Sequence, residues 1–234
     1  MRARKNQTIF RTALALVVMI GAATMVMGIA GAAVMAVAHP TTNLKSILDR
    51  LQRHYETTDS FTAKFTETLT SAGGPPRERS GKVAYRKGGR IRWEFDQPAP
   101  ESVIADGATL YDYDPGLNQV IEMPLGDAFK SRSAAAFILG VANLQRDFDA
   151  QLLADAPADG LDHLVVTPKD GGDKIGLGLD AKSLNIVTLQ VADALGNVTL
   201  LKFSDIRRNV PLANSLFTFT PPPGADIVTA PHQK

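Results

Sequence analysis

The side chains in this 234-residue sequence that could do covalent or metal chemistry are few and scattered. Its four histidines are His39, His54, His163 and His232, and no two stand at a spacing that serves one metal ion. There is no cysteine, which excludes thiolate nucleophiles, thiolate metal ligands and disulfides. The nucleophile elbow GxSxG, the zinc-helix pattern HExxH, a glycine-rich phosphate loop and an EF-hand loop are all missing. The most suggestive pair of carboxylates, Asp112 and Asp114, stands beside Pro115-Gly116, where aspartate commonly bonds its own turn backbone. A serine hydrolase using His163 or His54 is the enzymatic alternative, and no local motif supports it. The expectation is a protein that is not an enzyme, with no metal and no cofactor.

The pattern that does stand out is an alternating one. Residues 81–95, GKVAYRKGGRIRWEF, put Val83, Tyr85, Ile91, Trp93 and Phe95 on one face and Lys82, Arg86, Arg90, Arg92 and Glu94 on the other. A period of two marks strands with one buried and one wet face. A two-residue turn at Gly88-Gly89 would set Tyr85 against Arg92 and mix the faces. A three-residue loop, Lys87-Gly88-Gly89, pairs Tyr85 with Ile91 and Val83 with Trp93, with Gly89 supplying a positive φ.

Around this hairpin the chain reads as a meander. Residues 42–58 place Leu44, Ile47, Leu48, Leu51 and Tyr55 at helical spacing, with Thr41 or Thr42 as a cap. Phe61, Ala63, Phe65 and Leu69 alternate through residues 61–70. Residues 71–79, SAGGPPRER, form a loop, since paired prolines break regular structure. Short strands are expected at 102–105, 109–113 and 119–123, with turns at Asp106-Gly107 and Asp114-Pro115-Gly116. Residues 133–140, SAAAFILG, form a second apolar helical segment containing Phe137, Ile138 and Leu139. Strands then follow at 148–153, 163–167, 174–179, 186–191, 198–205 and 217–220. Short connections throughout point to antiparallel pairing.

The N-terminus reads as an export signal. Arg2, Arg4, Lys5 and Arg11 precede an uncharged stretch over 12–38 that ends in Ala36-Val37-Ala38, a small-x-small cleavage pattern. Residues 1–38 are the expected cleavable signal and residues 39–234 a single periplasmic domain; an uncleaved anchor is the alternative. Cleavage would leave 21 basic against 24 acidic residues, a balance that calls for no nucleic acid. A monomer is expected.

A sheet with one apolar face and two apolar helical segments either closes on itself or leaves a greasy hollow. A hollow lined by Phe61, Phe65, Tyr85, Ile91, Trp93 and Phe95 suits acyl chains. At about 0.8 kcal/mol per methylene, one sixteen-carbon chain carries roughly 12 kcal/mol of transfer energy. The alternative is a structural module whose apolar face is simply core.

Four stretches in order resemble the LolA family of periplasmic lipoprotein carriers: VAYRKGGRIRWEFDQP over 83–98, DG with LYDYDPGLNQV over 106–120, TPKD over 167–170, and FTFTPPPGADIV over 217–228. The resemblance implies an α+β, mainly antiparallel β fold: an incomplete, half-open β-barrel with a helical lid enclosing an apolar cavity. It implies carriage of acylated lipoproteins from an inner-membrane lipoprotein-releasing ABC transporter to an outer-membrane, LolB-like acceptor. On this reading Phe61, Phe65, Val83, Tyr85, Ile91, Trp93, Phe95, Phe137, Ile138 and Leu139 line or cover the lipid cavity. Family members carry a basic residue, usually Arg before Pro, at the hairpin mouth to hold the lid; here the matching residues are Lys87 and Gly88. Lysine lacks arginine's planar fork of donors, so a latch at Lys87 has fewer fixed contacts. Cargo of another kind, such as a glycolipid, is the alternative. The lipidated acceptor of the same architecture is disfavoured, because there is no cysteine to acylate.

Overall fold

The computed structural model describes residues 44–71, 73–128, 143–153, 155–169 and 171–229. The signal segment, Phe137, Ile138 and Leu139, the Thr41 and Thr42 caps, His39 and His232 lie outside them.

Helix α1 (Leu44–Glu56) opens the described chain. Its spacing places Ile47, Leu48 and Leu51 on one stripe, and all three are buried. At roughly 1.5–3 kcal/mol per fully buried aliphatic side chain, this stripe is the main reason a 13-residue helix holds here.

The strands are β1 (Ser60–Thr70), β2 (Arg77–Arg86), β3 (Arg90–Gln97), β4 (Glu101–Asp106), β5 (Thr109–Asp114) and β6 (Gln119–Pro124). Two short helices follow, α2 (Leu125–Ala128) and α3 (Leu144–Asp147). Next come β7 (Phe148–Leu152), β8 (Leu161–Pro168), β9 (Lys174–Asp180), β10 (Ile186–Ala192), β11 (Val198–Arg208) and β12 (Asp226–Thr229). All twelve form one sheet in the order β12-β6-β5-β4-β3-β2-β1-β11-β10-β9-β8-β7. Two antiparallel meanders, β1 to β6 and β7 to β11, therefore join where β1 pairs with β11. The ends, β12 and β7, do not pair with each other, so the sheet is an open barrel rather than a closed one.

The central hairpin has the expected register, with Tyr85 opposite Ile91 and Val83 opposite Trp93. Its three loop residues are Lys87, Gly88 and Gly89, and both glycines have positive φ, 92° and 74°. Gly89 has a second reason to be glycine: a Cβ there would stand 2.7 Å from Leu125 Cδ2, because the hairpin tip seats against α2.

Three sequence expectations are corrected. First, the loop after β1 is shorter than residues 71–79, because Arg77, Glu78 and Arg79 already pair with Leu69, Thr68 and Glu67. The prolines interrupt only positions 75 and 76; charged residues beyond them are held by the ladder. Second, no strand forms at 217–220. A 3-10 turn, Asn214–Phe217, is followed by extended chain and the prolines at 221–223, which cannot donate to a ladder. The last strand is instead β12, and it pairs parallel with β6. Third, the outer face of the hairpin is not simply wet. The segment after β11 crosses it, with Arg86 Nη1 donating to Leu212 O at 3.0 Å and Arg92 Nη1 to Leu216 O at 3.2 Å. Phe217 is buried with the Arg86 guanidinium 5.1 Å from its ring, and Phe219 meets Tyr111 and Tyr113 at 5.4 and 5.6 Å.

Candidate functional site: an apolar inner face between two polar ends

The inner face is built from alternate residues of β1 to β6 and β8 to β11. Phe65 packs edge-on against Trp93 at 4.6 Å and Phe95 at 5.1 Å, and Phe61 stacks on Tyr85 at 5.3 Å. Phe65, Val83, Tyr85, Ile91, Trp93 and Phe95 are all buried in one cluster with Ile47, Leu48 and Leu51 of α1. Seven of the ten residues expected from sequence thus share one face. Of these, Phe61 borders open space.

That space is a cleft between the C-terminal half of α1 and strands β1, β10 and β11. It holds about 470 Å³, counting the part open to solvent at its mouth. Its walls are apolar: Phe61, Ala63, Ile186, Phe203 and Ile206. Its rim is polar: His54, Tyr55, Thr58, Asn185 and Arg208. His54 is buried. Burial, and then the nearby Arg208 charge, pushes its imidazole down to about 4, so it is neutral at physiological pH. Burial pushes the Tyr55 hydroxyl up to about 12, and its oxygen accepts from Ile186 N at 3.3 Å. Apolar walls with a few oriented polar groups at the mouth are the composition of a small-molecule pocket.

The last turn of α1 beside this mouth is clamped from two sides. Arg208 Nη2 donates to His54 O at 2.7 Å, and its Nε donates to Thr58 Oγ1 at 2.9 Å. From the hairpin tip, Lys87 Nζ donates to Glu56 O at 2.9 Å, and Lys87 N donates to Asp59 O at 2.8 Å. Both cations sit on carbonyls that the helix cannot satisfy itself, at its negative dipole end. Lys87 therefore does bridge the hairpin to a helix, and that helix is α1.

The opposite end of the inner face is acidic, and the sequence reading missed it. Arg79 on β2 lies 3.3 Å from Glu67 on β1 and 3.1 Å from Glu101 on β4, with its guanidinium carbon 3.6 Å above the Phe95 ring. Glu67 and Arg79 are buried. Burial pushes the Glu67 carboxyl up against the downward pull of Arg79. Asp112 was expected in a turn with Asp114. Asp114 does cap that turn, accepting from Leu117 N at 3.1 Å, but Asp112 lies within β5, buried, opposite Val103 and Ile121. Burial first, and the Glu101 charge second, push its carboxyl up to about 7. The available signal was parity. The row Phe61, Ala63, Phe65 continues to Glu67, and Leu110 continues to Asp112, so both carboxylates share the greasy face.

His163 meets Asp159 through Nε2, at 2.9 and 3.1 Å. No group of three or more His, Cys, Asp or Glu among the described residues could hold a metal ion.

Comparison with known proteins gives a consistent picture. The family model "Outer membrane lipoprotein carrier protein LolA" matches residues 56–220. The outer-membrane lipoprotein carrier protein of Dechloromonas aromatica is 35% identical over 186 residues, covering 77% of this chain and 86% of the relative. That of Cupriavidus pinatubonensis is 34% identical over 199 residues, covering 82% and 91%. A solved structure of an uncharacterized conserved protein from Thermus thermophilus superposes with a TM-score of 0.51 at 16% identity, covering 80% of this chain and 98% of that one, which shows the shared fold.

Proposed function

The chain belongs to the LolA family of outer-membrane lipoprotein carriers, and from that premise we propose that it binds the acyl chains of lipoproteins on its inner face and ferries them through the periplasm. The observation that carries the reading is the apolar cleft beside α1, continuous with the buried aromatic row through Phe61. Phe61, Phe65, Val83, Tyr85, Ile91, Trp93 and Phe95 form the floor of the site, with Phe137, Ile138 and Leu139 as its cover. The protein acts as a carrier and not as an enzyme. It is exported by a cleaved signal over residues 1–38, and its partners are an inner-membrane lipoprotein-releasing ABC transporter and a LolB-like acceptor.

Native mass spectrometry of protein co-expressed with a triacylated lipoprotein tests this. A one-to-one complex is expected, and it should vanish when the acylated cysteine of the lipoprotein is removed. Phe61→Glu and Ile206→Glu place a charge in the apolar wall, and each should weaken capture at least about tenfold while the thermal melt stays cooperative. Complexes that survive both the cysteine removal and the two substitutions would overturn the reading.

Lys87 has the position of a latch on α1. Lys87→Met removes one exposed charge-assisted hydrogen bond, so the expected loss of stability is about 1 kcal/mol or less. The larger expected effect is on release: bound lipoprotein should transfer to acceptor vesicles faster than from the unaltered protein. Equal transfer rates would leave Lys87 a helix-capping lysine only.

A further inference from the structure

We infer that the carboxyl-rich end of the inner face, centred on Asp112, is a subsite for a nitrogen donor in the head of an acylated ligand, either an ammonium or an amide N–H. This rests on the carrier reading and adds to it a choice of head group.

The imbalance of charge comes first. Three carboxyls, Glu67, Glu101 and Asp112, share one guanidinium, and Arg79 is already committed to Glu67 and Glu101. Asp112 is more than nine-tenths buried and makes no hydrogen bond among the described residues. Its neighbours across the ladder are Val103 and Ile121, neither of which offers a side-chain donor. A buried carboxyl with no donor is costly to keep, and proteins satisfy such groups or use them. Its titration in the neutral range, driven by burial and by Glu101, is what a carboxyl lacking a counter-charge shows.

The surroundings specify the missing partner. A phosphate brought here would face carboxylates with no free cation among the described residues of the cluster. An ammonium or amide N–H would instead supply the donor that Asp112 lacks. The Glu101 side chain is 21% exposed, so the cluster borders solvent at this end of the sheet rather than lying sealed in the core. The apolar row begins beside it: Asp112 pairs with Val103, and Val103 with Trp93, so a head at Asp112 lies two strands from the aromatic floor.

The test uses three synthetic ligands with the same two ester-linked chains: a diacylglyceryl-cysteine peptide with a free α-amine, the same peptide with that amine acylated, and a phosphatidylglycerol. Binding is read from the fluorescence of Trp93, the one tryptophan in the chain. The full-length exported protein should bind the cysteine lipids at least about tenfold more tightly than phosphatidylglycerol. Asp112→Asn removes the negative charge but keeps an acceptor, and Asp112→Ala removes both. A preference lost in both variants identifies the ammonium as the partner. One kept in Asp112→Asn and lost in Asp112→Ala identifies the amide. A preference unchanged within about twofold in both variants overturns the subsite while leaving the carrier reading intact. If the unaltered protein binds none of the three ligands, the carrier reading itself fails.

Discussion

Replacing Arg79 by leucine is expected to destabilise the fold by about 3–5 kcal/mol, the cost of removing one partner from a buried ion pair. Arg79 joins three adjacent features of the inner face: Glu67 on one strand, Glu101 across β3, and the ring of Phe95 beneath its guanidinium. Leucine fills part of the volume but leaves Glu67 buried with no counter-charge and Asp112 facing Glu101 without the one cation that draws its pKa down. Thermal unfolding at pH 7 should show a Tm lower by about 10 °C, at roughly 2–4 °C per kcal/mol for a domain of this size. The mechanism is checked by adding Glu67→Gln and Glu101→Gln to Arg79→Leu. With no uncompensated charge at either position, the triple variant should recover most of the loss. A triple variant no better than Arg79→Leu would show that the loss comes from packing against Phe95 and not from charge.

The second large effect is a pH dependence centred on Asp112. Its carboxyl titrates near 7 in the folded protein against an ordinary 3.8, so between those values the folded state holds a proton that the unfolded state has released. Stability therefore falls as pH rises through this window, and the penalty is absent below about pH 4 and complete above about pH 7. Roughly three pH units at about 1.36 kcal/mol each make it about 4 kcal/mol at most. Asp112→Asn has no proton to lose. It should match the unaltered protein below about pH 4 and exceed it by several kcal/mol at pH 8, measured by urea unfolding at pH 3.5 and pH 8. Equal pH slopes in the two proteins would exclude Asp112 as the source.

These two expectations have a common reading. The acidic end of the inner face costs stability at neutral pH, and apolar residues of similar shape would remove that cost. Retaining buried, under-compensated carboxyls next to the face proposed to bind lipid is the pattern of a group kept for a ligand, and the Asp112→Asn variant separates the two properties. It should gain stability at pH 8, and it loses choice among head groups when the donor is an ammonium and keeps it when the donor is an amide.

Much of the fold was legible from the chain alone. The hairpin register followed from one local conflict: a two-residue turn at Gly88-Gly89 sets arginines against the apolar row, and the structure has the three-residue loop Lys87-Gly88-Gly89 instead. The helix over Leu44–Glu56 and the strands of both meanders were read from periods of 3.6 and 2, because each is an amphipathic element with one face to bury. The ordered motifs around the hairpin, the Asp114 turn and the C-terminal stretch pointed to a family that matches residues 56–220.

Other features depend on partners far apart in sequence, and no local period reports those. The pairing of β1 with β11 joins residues about 140 positions apart, and the parallel addition of β12 to β6 joins residues about 107 apart. The covering of the outer face by Phe217 and Phe219 arose because Arg86, Arg92, Tyr111 and Tyr113 present a surface that the C-terminal segment can close. Arg79 looked like a loop charge after two prolines, until pairing with β1 turned it inward onto Glu67. What the sequence by itself determined was where the apolar side chains recur, and hence a sheet with a greasy face, together with the ordered motifs that resemble the LolA family. Only the tertiary structure decided that this face ends in a cationic clamp on α1 at one side and an under-compensated carboxyl cluster at the other. Burial and charge balance belong to residues brought together by the sheet, and neither can be summed along the chain.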